Sequence, residues 1–232
     1  MPRVEKGADV TIVALVYRSL RWLDWCMESV DNSSNQISYR WLVVANDATD
    51  EVRKDPRITI DFRNKDPNEF YINRVYRAWN QGIVGSPTQL VCIFNTDMYA
   101  SDGWLDELVT AKRNDPKTLP ASMLVESGSV PSAMPEYVHN FGMNPDEFKK
   151  EDFLQHAKTM RRPGEFETGR LYGPVIFDRQ EFIDFGKYPE GNPGGVPGDQ
   201  VLFKRYKEAG YKHITCLGSV VYHAVTGEQL WP

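Results

Sequence analysis

Short apolar runs alternate with amphipathic segments along the first half of the chain. Residues 10–17 (VTIVALVY) and 41–45 (WLVVA) are nearly continuous apolar runs, which predict strands buried on both faces. Between them, Ser19 can cap a helix whose apolar positions recur at helical spacing through residues 20–30. This alternation of strands and helices predicts an α/β fold with a central, mainly parallel sheet and right-handed crossovers.

The same pattern continues toward the middle of the chain. Residues 57–62 alternate between polar and apolar side chains and predict a third strand, and residues 90–94 predict a fourth, buried one. Between them, a capping box formed by Asp66 and Glu69, with Pro67 at the first helical position, predicts a helix that ends at Gly82.

The second half is less regular, and residues 127–171 carry the weakest pattern. Strands are predicted at residues 121–126, 172–177, 213–217 and 219–223, and helices at residues 101–113, 145–158 and 178–185 and from Asp199 to Gly210. No repeat and no linker divides the chain. We therefore expect one domain that spans residues 1–232.

Composition narrows the classes of function. The chain has a net charge of −5 and a pI near 5.5. This acidic balance argues against general nucleic-acid binding, which needs a basic surface. The first ten residues contain no apolar signal core, and no run approaches the about 20 apolar residues of a membrane span. The widely separated Cys26, Cys92 and Cys216 suggest buried free thiols. We expect a cytoplasmic protein without a transmembrane segment.

One stretch concentrates candidate chemistry at the end of a predicted strand. Residues 89–104 (QLVCIFNTDMYASDGW) carry Asn95, Thr96 and Asp97 directly after the apolar run. In open α/β sheets, ligands bind at the carboxyl ends of the strands. An Asp that merely ends a strand before a turn is also common, so this segment alone leaves both interpretations open.

Four separated segments, in order, resemble family 2 glycosyltransferases of the GT-A fold. Asn95-Thr96-Asp97 resembles their DxD motif, with Asn in place of the first Asp. The resemblance implies that Asp97 holds a divalent metal, Mn²⁺ or Mg²⁺, on the diphosphate of a nucleotide sugar. Hard divalent cations prefer such oxygen ligands.

The resemblance also implies a donor-binding set in the first half. Residues 15–17 (LVY) stand where the family touches the nucleotide, and Asp47 stands where a carboxylate accepts a hydrogen bond from uracil N3–H. Asn80 matches a helix motif in which Trp79 replaces a frequent arginine. The expected substrate-binding residues are Leu15, Val16, Tyr17, Asp47, Asn80, Asn95, Thr96 and Gly173.

Two residues of the second half complete the expected site. Asp199 resembles the family's general base, although Gly198 replaces the usual preceding Glu. His223 ends a late strand, as in the family, and is expected to be a further metal ligand. A helix-start Asp and a structural His are the plain alternatives.

The resemblance implies a single GT-A-like, Rossmann-like domain. Residues 1–100 would bind the nucleotide sugar, with UDP favoured, and residues 101–232 would bind a glycan or another hydroxyl acceptor. The implied reaction is transfer of one sugar with inversion. Two alternatives stay open. One is a nucleotidyltransferase, which usually has a glycine-rich loop after the first strand that residues 15–20 lack. The other is a non-catalytic nucleotide- or glycan-binding domain.

Overall fold

The part of the chain described by this computed structural model, residues 7–64, 69–190, 193–225 and 227–230, contains one nine-stranded sheet. Its strands are β1 (Val10–Val16), β2 (Tyr39–Asn46), β3 (Ile58–Phe62), β4 (Leu90–Ile93), β5 (Met98–Ala100), β6 (Thr118–Glu126), β7 (Phe166–Thr168), β8 (Val175–Asp178) and β9 (Lys212–His223). The α-helices are α1 (Leu20–Asn32), α2 (Asp50–Arg53), α3 (Tyr71–Gly85), α4 (Trp104–Asn114), α5 (Lys150–Met160), α6 (Arg179–Asp184), α7 (Gly198–Glu208) and α8 (Gly227–Leu230). Two 3₁₀ turns cover Pro135–Tyr137 and Pro193–Gly195.

The strand order is β3-β2-β1-β4-β8-β6-β9-β5, and β7 pairs with the first half of β9. Strands β3, β2, β1 and β4 are parallel neighbours. Strand β8 is antiparallel to both β4 and β6, so β6 runs in the direction of β4, and β9 is parallel to β6. The carboxyl ends of β1, β2, β4, β6 and β9 therefore meet at one edge of a mainly parallel sheet, as the sequence predicted.

Helices cover both faces of this sheet because strand side chains alternate between them. On one face, α3 packs Trp79 and Ile83 against Val13 and Val44. Gly82 allows this close approach, since a Cβ there would lie 2.4 Å from Val13 Cγ1. On the other face, α1 and α4 pack against the sheet, and Trp104 is fully buried.

The cysteine prediction is confirmed. All three thiols are buried and free. Among the described residues, no helix combines the length and the apolar character needed to cross a bilayer.

Several predicted boundaries were wrong for local reasons. Helix α4 begins at Trp104, because Gly103 with φ 68° precedes it and the Ser101 hydroxyl instead donates to Val220 O (2.7 Å). Helix α5 begins at Lys150, not Pro145, because the Asn144 side chain folds residues 144–147 into a turn. The two predicted late strands form one strand, β9, whose pairing with β6 shifts register once.

The other differences concern short or undescribed segments. Helix α3 is described from Tyr71, and the predicted caps Asp66 and Pro67 lie outside the described residues. The sequence pattern missed α2, β5 and β7, which have three or four residues each.

Candidate functional site

The shared strand edge carries a cavity of about 230 Å³. Four residues expected from the sequence line it: Asn95, Gly173, Asp199 and His223. The other lining residues are Tyr76, Trp79, Ile93, Met98, Leu124, Glu126, Leu171, Tyr172, Pro174 and Tyr188. The fold therefore brings residues from both halves of the chain into one space.

Asp97 and His223 lie side by side at this edge. Strands β5 and β9 pair Met98 with His223, which places His223 Nε2 3.4 Å from Asp97 Oδ2. The other ring nitrogen, Nδ1, lies 3.2 Å from Glu126 Oε1 at the end of β6. Burial opposes a charged imidazole, but the two carboxylates outweigh it and raise the pKa of His223 to about 9.

Glu126 is a site residue that sequence reasoning did not single out. Its side chain is nine-tenths buried, and its Oε2 has no hydrogen-bond partner among the described residues. Burial opposes its charge, but the hydrogen bonds from His223 and Ser132, together with the charge of His223, outweigh burial and lower the pKa of Glu126. Its position at the carboxyl end of a predicted strand was the available signal, but the neighbouring strand was unknown.

Asp97 and His223 are suited to be two ligands of a divalent cation, with Glu126 behind His223. Two ligand atoms that each lie about 2.1 Å from one ion are about 3 Å apart, close to the observed Asp97–His223 separation. A metal-bound His ordinarily donates its second N–H to a carboxylate, which is the role available to Glu126. Among the described residues, no group of three or more His, Cys, Asp or Glu side chains surrounds one point. The protein would therefore supply two ligands, and the ligand's phosphates would supply others.

Asp199 faces the same cavity from the first turn of α7. Its Oδ1 accepts a hydrogen bond from Gln200 N (2.7 Å), and the Tyr76 phenol lies against it. Burial raises the pKa of Asp199 above its ordinary value. Gly198 is required here, because a Cβ would lie 2.7 Å from Tyr76 Cε2. Gly198, in place of the Glu of the family that this segment resembles, thus leaves room for the closely packed Tyr76.

Asn80 is occupied by a structural contact. Its amide donates to Tyr188 O (2.8 Å) and accepts from Tyr188 N (3.1 Å). This clamp holds the Tyr188 ring stacked on Tyr76, with centroids 5.1 Å apart. Asn80 therefore supports Tyr188, which lines the cavity. Its predicted contact with a ligand stays a prediction.

At the end of β1, only some of the predicted residues have a side chain that a ligand could reach. Val16 is fully buried and Leu15 packs on the core, so a ligand can reach them mainly through their backbone. Tyr17 is 44% exposed. Its backbone N–H donates to Glu228 Oε2 (2.8 Å), and the nearly buried Thr96 donates to Glu228 Oε1 (3.2 Å).

Asp47 lies in a left-handed turn after β2, with φ 49°. One carboxylate oxygen accepts from Asn64 N (2.6 Å), and the other lies 3.3 Å from Arg74 Nη1. A carboxylate has about four acceptor positions, so it can accept a further hydrogen bond from a ligand. The neighbouring Arg77 is paired with Glu69 (2.7 Å).

A larger cavity, of about 680 Å³, lies at the opposite edge of the sheet. Its buried cation, Lys112, is fully engaged by Pro116 O, Thr118 O and Glu181 Oε2, at 2.5, 3.0 and 2.9 Å. Charged groups that are already paired in this way have a structural role. The smaller cavity at the carboxyl edge therefore remains the candidate site.

Comparison with known proteins adds no family assignment. No protein-family model matches this chain, and no curated protein matches it. The site must accordingly be interpreted from its own chemistry. It offers a carboxylate beside an imidazole, a half-buried carboxylate that can accept a proton, and backbone N–H donors that bind Glu228, all at one strand edge.

Proposed function

We propose that this protein is a metal-dependent glycosyltransferase that uses a nucleotide-sugar donor, with UDP favoured, and a hydroxyl acceptor such as a glycan. The observation that carries the proposal is that His223, paired with Asp97, lines the same cavity as Asp199. Asp97 and His223 are suited to hold a cation beside a diphosphate, and Asp199 is suited to remove a proton.

Asp97 and His223 would hold Mn²⁺ or Mg²⁺, and Glu126 would orient His223. When bound, the cation supplies positive charge that stabilises a leaving diphosphate. Asn95 is exposed and lines the cavity, where its amide can bind donor hydroxyls.

Asp199 would act as the general base. The acceptor oxygen forms a bond to the anomeric carbon while the bond from that carbon to the diphosphate oxygen breaks, and the hydroxyl proton moves to Asp199. Direct displacement of this kind inverts the anomeric configuration. Tyr76 and Tyr188 fix the wall beside this carboxylate.

A non-catalytic binding domain is the second candidate, and one observation favours it. Trp79, which replaces a frequent arginine of the family, is 4% exposed and packs in the core. It therefore supplies no charge to a diphosphate, and Arg74 and Arg77 of the same helix are paired with carboxylates. Turnover of a donor would exclude this candidate.

The proposed function is tested by incubating the protein with a panel of nucleotide sugars, with Mn²⁺ or with a chelator. Metal-dependent release of a nucleoside diphosphate from one donor supports a glycosyltransferase. Release of pyrophosphate from a nucleoside triphosphate and a sugar phosphate would instead indicate a nucleotidyltransferase. Binding without turnover would indicate the non-catalytic domain.

Replacement of Glu126 by Gln tests the orientation of His223. We expect metal-dependent UDP affinity to fall about 10–100-fold, as is typical when the carboxylate behind a ligating His is lost. Calorimetry with Mn²⁺ measures the affinity, and NMR should show a lowered pKa for His223. The control is Glu136→Gln, on an exposed turn. Unchanged metal affinity in Glu126→Gln would remove the positioning role.

Replacement of Asp47 by Ala tests recognition of the base. UDP binding should weaken by about 1–3 kcal/mol, because a buried N3–H would lose its acceptor, while pyrophosphate binding should change little. The matched control is Asp50→Ala, three residues later, whose side chain is 87% exposed. An equal loss for UDP and pyrophosphate would assign Asp47 to the turn alone.

A further inference from the structure

Glu228, near the end of the chain, is buried against the end of β1. Its side chain reaches back across the carboxyl edge of the sheet, and the residue is 8% exposed. Oε2 accepts hydrogen bonds from the backbone N–H groups of Tyr17 and Arg18, both at 2.8 Å. Oε1 accepts from the Thr96 hydroxyl at 3.2 Å, and Arg18 Nε donates to the backbone carbonyl of Glu228 at 2.7 Å.

The donors around this carboxylate form a binding place for an oxyanion. Two adjacent backbone N–H groups and a hydroxyl converge on it, and hydrogen bonds to a charged acceptor are the stronger ones. The Tyr17 and Arg18 N–H groups lie just before α1, whose first turn contains no acidic residue and whose cap Ser19 makes no side-chain capping bond. The positive end of α1 thus has no anion of its own and receives one from the far end of the chain.

The segment that carries Glu228 also lies over the candidate metal ligand. Ala224 N donates to Asp97 O (2.9 Å), and a Cβ at Gly227 would lie 2.6 Å from Asp97 Cβ. The backbone that carries Glu228 therefore packs on Asp97, at the edge where the proposed function places a donor diphosphate. Thr96, the residue before Asp97, donates to the same carboxylate that the Tyr17 and Arg18 N–H groups bind.

We propose that the Tyr17 and Arg18 N–H groups and the Thr96 hydroxyl are a phosphate subsite, and that Glu228 fills it in the free protein. A phosphate of the ligand replaces the Glu228 carboxylate, and residues 227–230 leave the edge as the ligand enters. The subsite follows from the contacts of Glu228, and only its assignment to a nucleotide diphosphate rests on the proposed function.

The test compares pyrophosphate binding, without nucleotide or sugar, to the wild type and to Glu228→Ala. Removal of the competing carboxylate should tighten pyrophosphate binding about tenfold, since affinity is reduced by the fraction of sites that are occupied. Glu228→Gln keeps the shape and removes the charge, so an intermediate gain is expected. Glu208→Ala, an exposed acid on α7, is the control for net charge and should bind as the wild type does.

Hydrogen exchange distinguishes binding of pyrophosphate at the subsite from a general effect of removing one negative charge. The Tyr17 and Arg18 amides should exchange faster in Glu228→Ala and regain protection when pyrophosphate is added. In the wild type, pyrophosphate should speed exchange at residues 227–230. If Glu228 is only a distant helix cap, the variant loses stability without tighter pyrophosphate binding, and the proposal is overturned. Unchanged exchange at Tyr17 and Arg18 when pyrophosphate is added to Glu228→Ala would overturn it too.

The outcome is distinguishable from failure of the proposed function. If pyrophosphate protects Tyr17 and Arg18 in Glu228→Ala but no nucleotide sugar turns over, the subsite stands and the glycosyltransferase does not. If donors turn over while these amides never respond, the enzyme stands and the subsite does not.

Discussion

Replacement of Asp199 by Asn is expected to reduce sugar transfer about 10²–10⁴-fold, the range typical of a lost general base, with donor affinity nearly unchanged. Asn keeps the size of the side chain and the oxygen that accepts from Gln200 N, but it cannot take a proton. Initial rates of transfer measure the loss, and calorimetry measures donor affinity. The matched control is Asp152→Asn in the first turn of α5, which should keep wild-type rates.

The raised pKa of Asp199 gives this variant a second, independent signature. Because burial raises the pKa, the folded protein holds the proton more tightly than the unfolded chain does. The resulting stabilisation is complete at a pH below the ordinary carboxyl value of 3.8 and is lost as the pH rises through the raised pKa. Asn has no such loss, so Asp199→Asn should be at least as stable as the wild type at neutral pH. Thermal unfolding between pH 4 and pH 8, a window of about four units above the ordinary pKa, measures the difference.

Two results would count against this role. Transfer that survives in Asp199→Asn would assign the proton to another group. A variant that unfolds, or that no longer binds the donor, would show that Asp199 holds the start of α7 in place. The non-catalytic candidate would then be favoured.

Much of the fold was predictable because buried strands and helices leave a local pattern of apolar residues in the sequence. The apolar runs of β1, β2 and β4 and the amphipathic face of α1 are local signals, and all four elements were confirmed. The pairing of Asp97 with His223 was expected from the family resemblance, and the fold brings them together because β4 and β9 end at the same edge of the sheet.

The missed features depend on contacts that no local pattern encodes. Glu126 acquires its role only because β6 lies beside β9, which is a matter of strand order. Glu228 contacts Tyr17 from 211 residues away and belongs to a four-residue helix too short for a periodic signal. The three-residue strands β5 and β7 exist because β9 offers them free edges on its two halves.

Replacement of Asp97 by Ala is expected to abolish the Mn²⁺-dependent part of UDP binding. Asp97 is the only carboxylate in the motif Asn95-Thr96-Asp97, and hard cations need such a charged oxygen. His223→Ala should weaken binding less, because the carboxylate and the ligand's phosphates remain. Asp184→Ala is the control, since this exposed residue follows β8 at the opposite edge of the sheet. Circular dichroism should show that each variant is folded.

The most direct measurement is calorimetric titration of UDP into the wild type and Asp97→Ala, each with Mn²⁺ and with a chelator. If Asp97 holds the metal on which UDP binding depends, UDP affinity is clear in only one of the four titrations, the wild type with Mn²⁺. Equal, metal-dependent UDP affinity in Asp97→Ala would contradict the site, and absence of UDP affinity in the wild type with Mn²⁺ would contradict the choice of nucleotide donor.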